Sequence, residues 1–96
     1  MNVSFRNRKL ARCYADVGLA VREWGPDVGR RYVRRVDLLR AARSVEDLRA
    51  QRALDVHALR GNRAGQHALR LTGRVRLIVT FSDAGAEIEE VVDYHG

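Results

Sequence analysis

Three proton-handling side chains follow one another near the end of this chain: Asp93, Tyr94 and His95, with Gly96 behind them. A carboxylate, a phenol and an imidazole are the groups that move protons in general acid–base chemistry once their surroundings tune them. On a strand, alternation puts Asp93 and His95 on one face and Tyr94 on the other, unless the strand end twists or bulges. The preceding apolar residues leave the inward face undecided, because Ile88 and Val92 compete with Val91. Spacing alone is equally compatible with Tyr94 as a core aromatic and His95 as a solvated end residue.

A second constellation holds cations. Arg60-Gly61-Asn62-Arg63-Ala64-Gly65-Gln66 is a Gly-rich turn flanked by arginines, and Arg70, Arg74 and Arg76 follow it. Backbone N–H groups of such a turn, together with guanidinium forks, suit a phosphate. Neighbouring strands would bring Arg60, Arg70 and Arg76 around one anion, unless they pair instead with Glu87, Glu89 and Glu90 on the last strand. No nucleotide-binding loop of the strict kinase or dinucleotide type is present. His57 and His67 read as strand histidines, more often structural than catalytic. Cys13 lies on an apolar helical stripe and reads as core.

All 18 basic residues lie between Arg6 and Arg76, and Lys9 is the only lysine among them. Five of the 12 acids, Asp83, Glu87, Glu89, Glu90 and Asp93, come after the last arginine. The net +6 is therefore concentrated in the body of the chain, which favours nucleic acid or an acidic protein as partner. A lone cysteine fits a reducing cytosol, and the three histidines are too scattered for a zinc site, so neither a metal nor another cofactor is expected. The first residues lack a hydrophobic signal core, no apolar run has the length of a membrane span, and no basic amphipathic helix with bulky aromatics points to a membrane surface. The expected location is cytoplasmic.

The elements that must position these groups follow from periodicity. Val3-Ser4-Phe5 suits an edge strand. Leu10, Cys13, Tyr14 and Val17 recur at helical spacing, and Gly18 with Trp24-Gly25-Pro26-Asp27 places a loop next, movable around Arg22 to Gly25. A second helix from Pro26 or Asp27 buries Val28, Tyr32, Val36 and Leu39, and Ser44-Val45-Glu46-Asp47 opens one more helical turn. From about Asp55 the pattern alternates, predicting strands over 56–60, 66–72, 74–82 and 87–94. In the third of these Val75, Leu77, Val79 and Phe81 share one face, and Arg74, Arg76, Ile78 and Thr80 the other. The expectation is one α+β domain over 1–96, two helices packed on one face of a small, mainly antiparallel twisted sheet, with the opposite face free to carry function.

Taken together, Ser4-Phe5-Arg6-Asn7, Glu46-Asp47-Leu48, the stretch from His57 to Gln66 and the ending Glu89-Glu90-Val91-Val92-Asp93-Tyr94-His95 resemble the HigB toxins, the plasmid maintenance killer branch of the RelE/ParE superfamily. The resemblance spans nearly the whole chain, and its most specific parts are the Gly-Asn-Arg-x-Gly-Gln hairpin and the terminal Asp-Tyr-His. It implies a RelE-like, microbial-RNase-like fold and a ribosome-dependent mRNA endonuclease acting in the 30S A site. It also implies neutralisation by a helix-turn-helix antitoxin of the HigA type. Cleavage would use the RNA's own 2′-hydroxyl, with no metal required, leaving a 2′,3′-cyclic phosphate and a 5′-hydroxyl.

Carried over by the same resemblance, His57, Asp93 and His95 match polar active-site positions, Tyr94 the terminal tyrosine, and Arg76 the strand arginine facing the scissile phosphate. His95 and His57 would share acid and base duties, with Asp93 orienting or polarising one of them. Arg60 stands where many members have Lys, which keeps phosphate binding but excludes a neutral-lysine base. Arg60 and Arg76 would stabilise charge on phosphate, while Arg63, Arg70, Arg74 and the helix arginines would contact RNA. Two departures stand out: His67 where relatives often carry an aromatic after the hairpin Gln, and Val75 where many have Trp or Tyr. The other readings are a ParE-like gyrase poison on the same fold and a non-catalytic RNA- or protein-binding module.

Overall fold

Capping residues divide the N-terminal half into short helices. The computed structural model describes residues 1–94, so His95 lies outside the described residues. After strand β1 (Val3–Phe5), the Asn7 side chain accepts the Leu10 N–H at 2.9 Å and starts α1 (Arg8–Ala15). Asp16 then closes α1 and opens α2 (Val17–Trp24). Its own N–H bonds to the Arg12 carbonyl, while its Oδ1 accepts the Gly18 N–H at 2.9 Å. Such a side-chain cap satisfies orphan N–H groups that would otherwise face water.

This break has two consequences for the sequence-based expectation. The stripe from Leu10 to Val17 is cut at Asp16, and Val17 is 46% exposed rather than buried. The stretch expected as a loop is helical as far as Trp24. Gly18 therefore does not break the helix there, since it sits in the first turn, beside the Asp16 cap.

Gly25, at φ 87°, turns the chain into α3 (Pro26–Ala41), with Pro26 at the helix start where its missing N–H costs nothing. Tyr32, Val36 and Leu39 are fully buried along it, as their spacing predicts. Helices α2 and α3 approach so closely at Gly29 that a Cβ there would lie 2.6 Å from the Val21 nitrogen. The Tyr32 hydroxyl donates to the Leu10 carbonyl at 2.7 Å, joining α3 to α1. Ser44 caps α4 (Val45–Arg49): its Oγ accepts the Asp47 N–H at 3.2 Å, and the Asp47 carboxylate accepts the Arg43 N–H at 3.0 Å.

A 3-10 turn (Arg52–Leu54) leads to β2 (His57–Ala58), and a second one (Gly61–Arg63) leads to β3 (His67–Arg70). Then come β4 (Val75–Ser82) and β5 (Gly85–Asp93). The five strands form one sheet in the order β1-β5-β4-β3-β2. The β1–β5 pair is parallel and every other pair antiparallel. The core lies between the helices and one sheet face, where Leu10, Tyr32, Val36 and Leu39 cluster with Leu69, Leu77, Val79 and Ile88. Burying each such side chain contributes about 1.5–3 kcal/mol. No helix among the described residues is long and apolar enough to cross a membrane.

The register of β5 shifts where Ile78 faces Glu90 and the next residue, Val79, faces Ile88. Glu89 is the extra residue of this bulge, and it reverses the side-chain parity of the strand. Ile88 and Val91 therefore both turn towards the helices. The extra residue itself is nearly buried, and its carboxylate accepts the Thr80 hydroxyl at 2.8 Å beside Arg6 at 3.8 Å.

Candidate active site

The sheet face turned away from the helices is organised in cross-strand rows. Arg70, Arg76 and Val92 form one row, and His57, Ala68, Ile78 and Glu90 the next. The Tyr94 N–H donates to the Arg74 carbonyl at 2.9 Å, so the pairing of β4 and β5 continues past the last ladder residue. Alternation then sends the Tyr94 ring to the side of Val92 and Arg76. Asp93, opposite Val75, belongs to the other side, and its Oδ2 lies 3.4 Å from Arg74 Nη2.

These rows enclose a depression of about 490 Å³ lined by His57, Leu59, Gly73, Arg74, Arg76 and Tyr94, with Ala68 as part of its wall. An imidazole, a phenol and two guanidinium groups thus share one cavity. As alternation predicts, Asp93 and Tyr94 lie on opposite sides of β5, while His95 lies outside the described residues. Tyr94 is the member inside the cavity lining, and it is 52% exposed there.

Arg76 is held in place by the hairpin it leaves. Its Nη1 donates to the carbonyls of Thr72 at 2.8 Å and Val75 at 3.2 Å. That anchoring uses one nitrogen, and among the described residues no partner occupies Nε or Nη2. A guanidinium already fixed at one corner loses little freedom when it meets an anion. The hairpin itself is stiffened by Thr72, whose Oγ1 accepts the N–H of Val75 at 3.1 Å. Helix α3 reaches over to it as well: Arg31 Nη1 donates to the Leu71 carbonyl at 3.3 Å and Arg35 Nε to the Arg70 carbonyl at 2.9 Å. Burial, followed by the neighbouring cations Arg31 and Arg34, lowers the Arg35 pKa from its ordinary value.

The other sequence-predicted phosphate residues are spread out. Arg63 donates to the Glu90 carboxylate and, at 3.0 Å, to Gln66 Oε1, so it ties the Gly-rich turn to β5. Arg70 Nη2 lies 3.2 Å from Asp55 Oδ2. Arg60 is exposed and does not line the cavity. Of Arg60, Arg70 and Arg76, expected around one anion, Arg76 lines the depression together with Arg74, while Arg70, its cross-strand neighbour, is paired with Asp55.

His67 belongs to the opposite side of the sheet, its ring edge on Phe81 at a centroid distance of 5.1 Å. Arg49 Nη2 stands 3.4 Å from its Nε2, which must then accept, leaving the proton on a buried Nδ1 with no partner among the described residues. Burial first, then the charges of Arg49 and His57, lower its pKa from 6.5. A separate cleft of about 310 Å³ lies between α1 and α2, with Cys13 and Leu19 among its lining and Arg8, Arg12 and Arg22 around it. Burial, with Glu23 next, raises the Cys13 thiol above its ordinary value, which disfavours the nucleophilic thiolate.

Sequence reasoning passed over Asp55 and Thr72. Asp55 carried a signal, since it stands two residues from His57 where the alternating pattern begins. Thr72 carried none, because its role depends on a turn geometry that alternation does not report.

Comparison with solved structures finds the same fold in toxins. The chain is similar to a chain of the YoeB-YefM complex from Staphylococcus aureus, with 18% identity, a TM-score of 0.56, and coverage of 100% of this chain and 98% of that one. It is also similar to the YoeB/ParE toxin from Agrobacterium tumefaciens, with 13% identity, a TM-score of 0.57, and coverage of 99% and 100%. No match was found among curated proteins. Residues 3–95 match the family described as HigB-like toxin, the RelE-like toxin of the type II toxin-antitoxin system HigB. The α+β fold with its five-stranded, mostly antiparallel sheet and the family match agree, and the chain belongs to the HigB-like toxins.

Proposed function

We propose that this toxin is a ribosome-dependent mRNA endonuclease whose reaction centre is the depression on the open sheet face. The observation that carries the reading is the convergence of His57, Arg74, Arg76 and Tyr94 on one cavity. In the proposed reaction the 2′-oxygen of a nucleotide attacks the adjacent phosphorus while a base accepts its proton. The phosphorus–5′-oxygen bond breaks as an acid delivers a proton to the leaving oxygen. The products are a 2′,3′-cyclic phosphate and a 5′-hydroxyl, and atoms and charge balance without a further reactant.

His57 serves as one of the two proton carriers, and Arg76, preset by its backbone anchors, stabilises the charge that builds on the non-bridging oxygens. Arg74 supplies a second cation at the rim, and the half-exposed Tyr94 ring supplies a surface against which a base or ribose rests. His95 takes the other proton-carrying role in this proposal. Toxins of this kind pair with an antitoxin, and the proposed partner here is a helix-turn-helix protein of the HigA type.

The test is to incubate the purified toxin with mRNA alone and with the same mRNA on translating ribosomes, and to identify the product ends. Cyclic phosphate and 5′-hydroxyl ends that form only with ribosomes are the expected result. Intact RNA in both arms, with loss of gyrase supercoiling instead, would overturn the proposal.

A further inference from the structure

We propose that Asp55 is the positioning residue for His57, holding its imidazole from the Nδ1 side so that Nε2 faces the reacting oxygens. This rests on the reading of the open-face depression as an RNA-cleaving centre, and adds a carboxylate that the reading does not use. Asp55 Oδ1 lies 3.9 Å from His57 Nδ1, an ion-pair separation rather than a direct hydrogen bond. The other oxygen, Oδ2, lies 3.2 Å from Arg70 Nη2. One carboxylate therefore stands between the Arg70 guanidinium and the ring of the candidate proton carrier.

The backbone places it there at a cost. Asp55 has φ 47° and ψ 54°, and it is the one non-glycine residue with positive φ among the described residues. An L-residue in that region is strained and persists only where the surroundings hold it. Its N–H closes the preceding 3-10 turn on the Arg52 carbonyl at 3.1 Å, and the left-handed step then feeds the chain into β2. From there the Asp55 carboxylate reaches both the Arg70 guanidinium on β3 and the His57 ring on β2. Asp55, His57 and Arg70 thus share the open face.

Asp93, the carboxylate assigned to orientation by the family resemblance, stands opposite Val75 and pairs with Arg74. Asp55 is the carboxylate beside His57. At 3.9 Å the carboxylate charge favours the neutral-ring proton on Nδ1 by electrostatics, which leaves the Nε2 lone pair for the 2′-hydroxyl proton. Once the ring is protonated, the same arrangement presents the Nε2 proton to the leaving 5′-oxygen. Either direction of transfer is served by one orientation, and the Arg70 contact keeps the carboxylate from swinging away.

Asp55→Gly separates this role from a merely structural one. Glycine adopts a φ of 47° without strain, so the variant is expected to fold with an unchanged or raised melting temperature. In protein labelled with ¹⁵N, at a pH where the ring is neutral, wild-type His57 is expected as the Nδ1–H tautomer. Asp55→Gly is expected to return it to the Nε2–H form that free imidazoles prefer. Cleavage of mRNA on ribosomes should lose about 10- to 100-fold in kcat with KM little changed, the usual effect of removing an orienting partner. A wild-type ring already in the Nε2–H form, or a tautomer unaltered by Asp55→Gly, overturns the proposal. A wild type that cleaves no RNA overturns the endonuclease reading instead, and the tautomer still decides the role of Asp55.

Discussion

Tyr94 donates its backbone N–H to the Arg74 carbonyl at 2.9 Å, and this bond carries the phenol ring onto the same side of the sheet as Arg76. The last described residue of the chain is thereby part of the cavity wall. Half of its surface faces solvent, so its side chain contributes little to the core.

Tyr94→Ala should accordingly leave the melting temperature nearly unchanged and lower cleavage by roughly 10-fold or more, the loss of about one stacked base contact of 1–3 kcal/mol. Tyr94→Phe keeps the ring and separates stacking from hydroxyl chemistry. Activity close to wild type in the Phe variant assigns the ring, and a loss equal to that of Ala assigns the hydroxyl. Initial rates on programmed ribosomes, beside thermal unfolding, check both.

Arg76 is anchored by two carbonyls and aimed by them, so its geometry matters as well as its charge. Arg76→Ala should lower kcat by about 10²- to 10³-fold, the range for losing one preorganised donor to a developing anion. Arg76→Lys should recover little, because an ammonium cannot both hold the Thr72 carbonyl and fork onto a phosphate. Single-turnover rates compare the two.

The face of Tyr94 shows why part of the site was hidden in the sequence. Alternation along 74–82 is unbroken, and the structure places Val75, Leu77 and Val79 on the core side as that pattern predicts. In β5 the bulge at Glu89 turns both Ile88 and Val91 inward, so Tyr94 faces away from the core with Arg76. A one-residue insertion reverses every later side chain and leaves no compositional mark in the strand. The pairing of Arg63 with Glu90 was legible only as one of several charge pairs, because register selects the partner. The α3 stripe was legible at Tyr32, Val36 and Leu39, whereas the loop expected after Gly18 is helix α2, opened by the Asp16 side-chain cap.

Gly29 permits the close crossing of α2 and α3. A Cβ there meets the Val21 nitrogen at 2.6 Å and the Ala20 carbonyl carbon at 2.7 Å, both backbone atoms that cannot rotate aside. Gly29→Ala should therefore destabilise by about 1–3 kcal/mol despite the better helix propensity of alanine. Urea unfolding measures this as a lower midpoint at constant slope.

His67 makes stability pH-dependent in a predictable direction. Burial, Arg49 and His57 lower its pKa below 6.5, so the folded state favours the neutral ring. Above 6.5 the ring is neutral in both states and its contribution is complete. As pH falls below that value the unfolded chain takes up the proton first, and stability declines through the lowered folded pKa. His67→Gln should remove this part of the acid-side loss, seen as a smaller drop in melting temperature between neutral and mildly acidic buffer than in wild type.

Mapping RNA 5′ ends in a translating extract asks whether RNA is cleaved on the open sheet face. Wild-type toxin should create new 5′-hydroxyl ends within coding sequence. Folded His57→Gln should reduce them by about 10²- to 10⁴-fold, the contribution of a positioned proton carrier. The same ends at wild-type frequency in the His57→Gln variant would take the reaction centre off this face.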